Sequence, residues 1–293
     1  MTTSPDRAGP PLGSSHGGGL RRSVELFRAF RVEQTDPDHF YRIQAADSVQ
    51  QLRRWTEVEG KLVVDVGGGA GYFTEAFTAA GARCILVEPG AGEPDDDEDP
   101  DLSRAAGAPP PSAEATAEQA RRELHRRAVM AGRLAPGRTI AGDGNRLPFR
   151  DGMADVSFSS NVLEHVPDAD RFLNETIRVT RPGGIIYLSF TAWYSPWGGH
   201  ETAPWHFLGG HRAARRYEQR HGRPPGNKFG TSLFACHVGP TLRMARAHPG
   251  VDVVAALPRY YPDWMRWLIE VPGVRELATW NLLLVLRRRG AIT

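Results

Sequence analysis

The sequence predicts an α/β fold built around a doubly wound, mostly parallel sheet. Three observations carry that reading. Short apolar runs recur at 61–66, 83–88 and 185–190, the first without polar alternation, as expected of strands buried on both faces, and a further strand is expected at 155–160. Glycine-rich turns and stretches of helical periodicity separate them in a repeated β-α-β rhythm. Hydrophobic residues make up 40% of the 293 and charged residues 24%, which allows one domain with a sizeable core.

The elements follow in order. Residues 1–19 are rich in Gly, Pro and Ser and lack an apolar stretch, so they read as a disordered tail without a secretory signal. Leu20, Val24 and Phe27 recur at helical spacing, as do Leu26 and Phe30. A second helix is expected over about 38–55, capped by Asp36 with Pro37 in its first turn. The run 61–66 is a buried strand. It leads into Gly67, Gly68, Gly69 and Gly71, then a helix over 72–80 closed by Gly81, then a strand over 83–88. This is a βαβ unit.

Residues 91–113 interrupt the rhythm. Seven acidic residues fall within 93–101, and Pro109, Pro110 and Pro111 follow, which reads as a flexible acidic insertion. A helix is expected over 112–133, strands over 139–141 and 155–160, and a helix over 168–180. Pro182, Gly183 and Gly184 read as a tight turn before the strand 185–190. Beyond 190 the pattern loosens. A helix is expected within 205–221, strands over 251–257 and 282–286 as an antiparallel pair at the sheet edge, and helix between them.

Composition excludes several classes. The net charge is +2, which gives no global attraction to nucleic acid. The cysteines, Cys84 and Cys236, form neither a CxxC motif nor a metal-ligand spacing, and suit a reducing compartment. No apolar stretch is long enough to span a membrane, so a cytoplasmic protein is expected.

The decisive segment is Val64-Asp65-Val66-Gly67-Gly68-Gly69-Ala70-Gly71-Tyr72. It leaves a buried strand and opens a helix. Gly67 and Gly69 permit tight backbone bends and close ligand approach, and the helix start offers unpaired N–H groups. The dinucleotide fingerprint would place its third glycine at position 72, where Tyr72 stands. The observed spacing favours S-adenosylmethionine (SAM) over NAD. Glu88 ends the next strand, where a carboxylate can accept both hydroxyls of a ribose. A strand-end surface charge is the plain alternative. Asp143 and Gly144 follow the third strand and suit an adenine edge, the alternative being an Asp-Gly turn.

The segments VVDVGGGAGYF, VEPG, GDGNRLPFRDGMADVSFSSNVLEHVPD and RPGGIIYLSF resemble the successive motifs of class I SAM-dependent methyltransferases, type 11. The resemblance covers about 60–190. The remainder, including HETAPWHFLGG and RYYPDWMRWL, is similar to uncharacterised actinobacterial methyltransferases. The resemblance implies a Rossmann-like, seven-stranded sheet with an antiparallel edge strand. It also implies SAM contacts from Asp65, Gly67, Gly69, Gly71, Glu88, Asp143, Gly144 and Asn161. The domain from 20 to 293 then divides into N-terminal helices (20–59), a cofactor-binding core (60–190) and a substrate-side region (191–293).

Methyl transfer needs a base only when the acceptor carries a proton of high pKa. His200 is the first candidate, with Glu201 beside it. His165 is another, although that position more often packs beside the cofactor, and His206 and His211 follow. No HExxH-type spacing appears, so no metal is expected. Trp193, Tyr194, Trp197, Trp205 and Phe207 could line an apolar wall or form a small secondary core. Tyr260, Tyr261, Trp264, Trp267 and Leu268, with Arg259 and Arg266, suit core packing, a lid, or a helix lying on a membrane surface at 259–268. A peripheral membrane location and a lipid-linked acceptor would go with the last.

The expected activity is methylation of a small molecule, with a hydroxyl oxygen of a specialised metabolite, sugar or glycolipid favoured as acceptor and no obligate protein partner. Two alternatives stay open: an NAD(P)-dependent oxidoreductase and a SAM-binding protein without catalysis. The first is opposed by Tyr72 and by the absence of a Y-x-x-x-K pair in a chain with only two lysines, Lys61 and Lys228. Nucleic-acid methylation is disfavoured, because Ser160-Asn161-Val162 stands where an N/D-P-P-Y/F motif would be.

Overall fold

The computed structural model describes residues 19–33, 35–89, 132–133 and 138–290. The expected tail (save Gly19), the acidic insertion and all but the end of the expected 112–133 helix lie outside the described residues. Two helices open the described chain, α1 (Leu20–Arg31) and α2 (Pro37–Leu52). The alternating core follows: β1 (Leu62–Val66), α3 (Tyr72–Ala79), β2 (Arg83–Glu88), β3 (Thr139–Ala141), β4 (Ala154–Ser160), α4 (Ala169–Val179) and β5 (Thr180–Thr191). The C-terminal third contributes α5 (Gly210–His221), α6 (Val238–Ala247), β6 (Val251–Pro258), α7 (Val274–Ala278) and β7 (Asn281–Arg288).

The strands form one seven-stranded sheet in the order β3-β2-β1-β4-β5-β7-β6. Strands β1 to β5 pair in parallel. β7 runs antiparallel to both β5 and β6, which closes the sheet with the expected antiparallel pair. In β1 the side chains alternate between faces. Val64 and Val66 meet Phe172, Leu173 and Ile177 of α4, while Val63 joins Phe73 and Phe77 of α3 and Val49 and Leu52 of α2. Both faces are therefore covered, which explains the unbroken apolar runs. Each fully buried ring such as Phe77 or Phe158 contributes about 1.5–3 kcal/mol by leaving water.

Local chemistry sets the helix starts. Asp36 accepts the His39 N–H at 3.1 Å, with Pro37 in the first turn. Asp168 accepts the Arg171 N–H at 2.9 Å at the start of α4. Both satisfy an amide that the helix itself leaves unpaired.

Three features depart from the sequence reading. Pro182–Gly184 is not a turn between elements. Ala154 pairs with Thr180 and Val156 with Ile185, so residues 181–184 bulge within one continuous strand. Helix α6, which carries Gly239 and Pro240, was not anticipated. Both lie in its first turn, where a missing amide costs nothing. Finally, the segment between β6 and β7 is a 3-10 helix (Asp263–Ile269) followed by the short α7.

Strand order reverses between β1 and β4, and ligands of open α/β sheets bind at the carboxyl ends of strands beside such a switch point. Here those ends carry Gly67–Ala70 on one side and Ser160–Asn161 on the other. Helix α1 lies across this opening. Arg22 pins it, pairing with Asp47 of α2 at 2.5 and 2.7 Å and donating to the Arg259 carbonyl at 2.9 Å.

Candidate functional site

A cavity of about 1190 Å3 opens at the switch point. Its floor is the backbone of Gly67–Ala70 with Ser160 and Asn161. Gly67, Gly69 and Gly71 hold φ of 74°, 52° and 76°, a region that L side chains rarely occupy. A Cβ on Gly67 would stand 2.6 Å from Val162. Gly69 has nothing within 4 Å of its Cβ position, so bare main chain faces the cavity there.

Asp65 lies beneath the loop rather than in the cavity wall. It is wholly buried and accepts from Thr74 Oγ1 at 2.8 Å. Burial, reinforced by the Glu88 charge, pushes its carboxyl up to about 7. Asp65 is thus a support for the loop. Glu88, also buried, accepts the Gly69 N–H at 3.1 Å and so joins the end of β2 to the bend. Gly71 caps α3 from the left-handed region.

Asp143 and Gly144 stand outside the cavity lining. Asp143 is exposed, and its Oδ1 accepts the Asn145 N–H at 2.8 Å. Gly144 is a glycine because a Cβ would stand 2.5 Å from the Phe172 ring. Asn161, held at φ 57°, does line the cavity, and its Oδ1 accepts from Asn281 Nδ2 at 2.7 Å.

A strap over the loop escaped the sequence reading. Arg133 donates to the Ala70 carbonyl at 2.9 Å and to Asp38 at 3.1 Å, and its guanidinium lies 4.1 Å from the Tyr72 ring centre. The Tyr72 hydroxyl donates to the same Asp38 oxygen at 2.8 Å. Their separation in sequence hides this arrangement.

The roof is apolar. Leu20, Val24, Phe27 and Phe30 of α1 face Tyr261, Trp264 and Trp280 from the other end of the chain. Leu20, Phe27 and Trp264 remain exposed at the rim. Of Trp193, Tyr194, Trp197, Trp205 and Phe207, only Trp197 lines the cavity. Trp193 packs against His206 and Phe229 in a secondary core, and Tyr194, Trp205 and Phe207 are exposed elsewhere. Arg259 is not a surface group of its segment, although Trp264 and Trp267 are exposed. It is fully buried and donates to Ser160, Ser189 and Ser48 at 2.8, 2.7 and 2.8 Å. Beside it, the Tyr260 hydroxyl accepts from Gln44 at 2.7 Å.

One corner is polar. His165, His200, Glu201 and Asn227 all line it. The His165 Nδ1 lies 2.7 Å from the Ser232 carbonyl. That acceptor requires a proton on Nδ1, which places the lone pair on Nε2. The rings of His165 and His200 meet edge to face at 5.0 Å. His200 adopts φ 47°. Burial, then the neighbouring His165, lowers its pKa to about 4, so it is neutral at pH 7. Glu201 takes both of its contacts from Asn227 Nδ2, at 3.1 and 3.2 Å.

His206 and His211 fall away as bases. His206 is buried with Nε2 bonded to the carbonyls of Trp193 and Ser195 at 3.0 and 3.2 Å, and His211 packs on Phe229. Glu164, missed from sequence, is buried behind the corner. Its Oε1 accepts the Thr191 N–H at 3.0 Å, and its Oε2 has no hydrogen-bond partner. An acid framed by Val162, Leu163 and Val166 was the available signal.

Comparison with known proteins completes the description. Residues 112–188 match a family described as a methyltransferase domain. The chain is 44% identical over 274 residues to an uncharacterized methyltransferase of Mycolicibacterium gilvum, covering 92% of this chain and 94% of that protein. It is 42% identical over 273 residues to one of Mycobacterium tuberculosis, covering 91% and 94%. Among solved structures, it resembles a S-adenosylmethionine dependent methyltransferase from Mesorhizobium loti with a TM-score of 0.51 at 17% identity, covering 83% of this chain and 98% of that one. A Pyrococcus horikoshii protein gives 0.51 at 14%, covering 90% and 99%. At such identities the likeness concerns the fold alone. Among the described residues, no helix is long and apolar enough to cross a membrane.

Proposed function

Because the chain belongs to the methyltransferase family of these mycobacterial relatives, we propose that it transfers a methyl group from SAM to a hydroxyl on a small, largely apolar acceptor. One observation carries the reading. A single cavity joins a side-chain-free backbone floor, an apolar roof and a polar corner holding two histidines. Its volume exceeds the ~300–1,000 Å3 of common small-molecule sites, which leaves room for cofactor and acceptor together.

The residues suit the cofactor. The bend at Gly67–Gly69 has no room for a Cβ at Gly67 or Gly68, which would stand 2.6 Å from Val162 and 2.2 Å from Asp65. Main chain alone can meet the ligand there. Glu88, at the end of β2, would take the ribose hydroxyls through the carboxylate that now receives the Gly69 N–H. Asp143 and Gly144, one strand further on and outside the cavity lining, would flank the adenine only where it extends past that lining, Asp143 using the oxygen not engaged by Asn145. SAM supplies a sulfonium-bound methyl whose C–S electron pair stays on sulfur when an acceptor oxygen takes the carbon. The chain supplies placement and polarity.

The acceptor's body would rest against Phe27, Phe30, Trp197 and Trp280, with its hydroxyl toward the corner where His165 offers Nε2. The exposed rim at Leu20, Phe27 and Trp264 would suit a lipid-linked or glycolipid acceptor, since clustered exposed apolar groups mark binding surfaces. The class is tested by calorimetry with SAM and NADH on the wild type and on Glu88→Ala. SAM binding that is lost in the variant supports the proposal, and NADH binding in its place overturns it.

A further inference from the structure

We propose that Glu164, His165 and His200 form a binding site for one divalent transition-metal ion, of the zinc or manganese type, at the acceptor corner of the cavity. No HExxH-type spacing marks these residues in the sequence. The three side chains bring one carboxylate oxygen and two imidazole nitrogens within 4.8 Å of one another. Their backbone holders are short turns: Glu164 and His165 occupy the 3-10 turn Leu163–His165, and His200 opens another.

Unspent bonding capacity points to a ligand. Glu164 is 1% exposed, and its Oε1 is held by the Thr191 amide while Oε2 stays buried without a partner. His200 Nδ1 is likewise buried and unpartnered. Buried polar atoms in native proteins are nearly always paired, and leaving them unpaired costs free energy. The His165 Nδ1–H bond to the Ser232 carbonyl is the outer-shell arrangement that orients a metal-binding imidazole and keeps its other nitrogen deprotonated. Two nitrogens and one oxygen suit zinc or a neighbouring transition metal, whereas magnesium and calcium prefer oxygen alone. Bonds of about 2.0–2.2 Å would draw the three groups together by side-chain rotation.

His165 and His200 line the cavity, so a bound ion keeps a coordination position on the acceptor side. There, with His165 Nε2 engaged as its ligand, the ion takes over from that nitrogen the orienting of an acceptor oxygen, a role that rests on the proposed methyl transfer. The site itself does not.

The test uses the full chain stripped with chelator. Co2+ is followed by visible absorption and Zn2+ by competition with a chromophoric chelator. One ion per chain is expected, with affinity at least tenfold weaker in Glu164→Gln, His165→Gln and His200→Gln. Glu164→Gln keeps a carbonyl for the Thr191 amide, and circular dichroism verifies folding of all three. His248→Ala, at a half-buried histidine outside the cavity lining that bonds Asn174, should bind as the wild type does. Wild-type binding weaker than a stoichiometric, micromolar interaction, or equal affinity in folded ligand variants, overturns the site. SAM calorimetry on the same samples separates the two readings: SAM binding without metal binding removes only the ion, and the reverse removes only the methyl-transfer reading.

Discussion

The floor and the roof of the cavity are built in opposite ways. The floor comes mostly from one short stretch, β1 to β2, in which Asp65, the glycines and Glu88 lie within 24 residues. Its contacts are backbone contacts. The roof joins residues near 20–30 to residues near 197 and 261–280, and it is made of side chains. A cofactor common to many enzymes needs only a backbone shape, which local sequence dictates. An acceptor particular to one enzyme needs a surface, which distant segments assemble. Arg259 links the two halves. It holds the ends of β4 and β5 through Ser160 and Ser189, reaches α2 through Ser48, and anchors α1 through its carbonyl.

The sharpest way to break the comparison is at the floor. Gly67→Val places a branched side chain at φ 74° and 2.6 Å from Val162, so SAM affinity should fall by roughly 100-fold or more, about 2.7 kcal/mol. Gly69→Ala is its companion: the added carbon meets nothing within 4 Å, and lost SAM binding in a well-folded protein would show that the cavity side of the bend is where the ligand sits. Unchanged affinity in both variants would remove the floor from the cofactor site. A second break falls at the link between the halves. Arg259→Ala leaves a cavity and three serines without their shared donor, and should lower stability by about 3–5 kcal/mol, read by denaturant unfolding. A cost under 1 kcal/mol would mean that the roof is held independently of this residue.

The difference between the halves also explains what the sequence disclosed. The strands, the capped helices and the glycine bend were legible because periodicity, caps and φ preferences are local. The bulge at Pro182–Gly184 was not, since only pairing with β4 keeps that stretch in the sheet. Arg133 could not be tied to Ala70 and Asp38 from sequence, being 63 and 95 residues away from them. In the polar corner His165 and His200 were recognised as residue types, but Glu164 was passed over because its burial depends on β5 supplying the Thr191 amide. Arg259 shows the same limit most clearly. An arginine among aromatics reads as a surface group until the fold closes over it.

A pH series sharpens the contrast at the floor. The Asp65 carboxyl sits near 7 in the folded chain because of burial, against about 3.9 when unfolded. Between those values the folded chain keeps a proton that the unfolded chain has released. The associated stability is fully present below about 3.9 and is lost as pH rises through about 7. Asp65→Asn should therefore gain stability relative to the wild type by roughly 4 kcal/mol between pH 4 and pH 8, measured by unfolding at each pH. A constant difference across the series would show that the carboxylate is better solvated than its burial implies.

The smallest expected effect lies at the roof. Trp264 is 68% exposed at the rim and shares the cavity wall with Phe27 and Leu20. Its removal takes apolar contact from the acceptor without touching the glycine bend. Trp264→Ala should raise the KM for an apolar acceptor about three- to tenfold, on the order of 1 kcal/mol of lost contact, while the SAM Kd and kcat hold. The split between the two constants is the informative part. A parallel loss of SAM affinity would mean that the rim closes over both ligands as one lid, and the division of the cavity into a backbone floor for the cofactor and a side-chain roof for the acceptor would have to be abandoned.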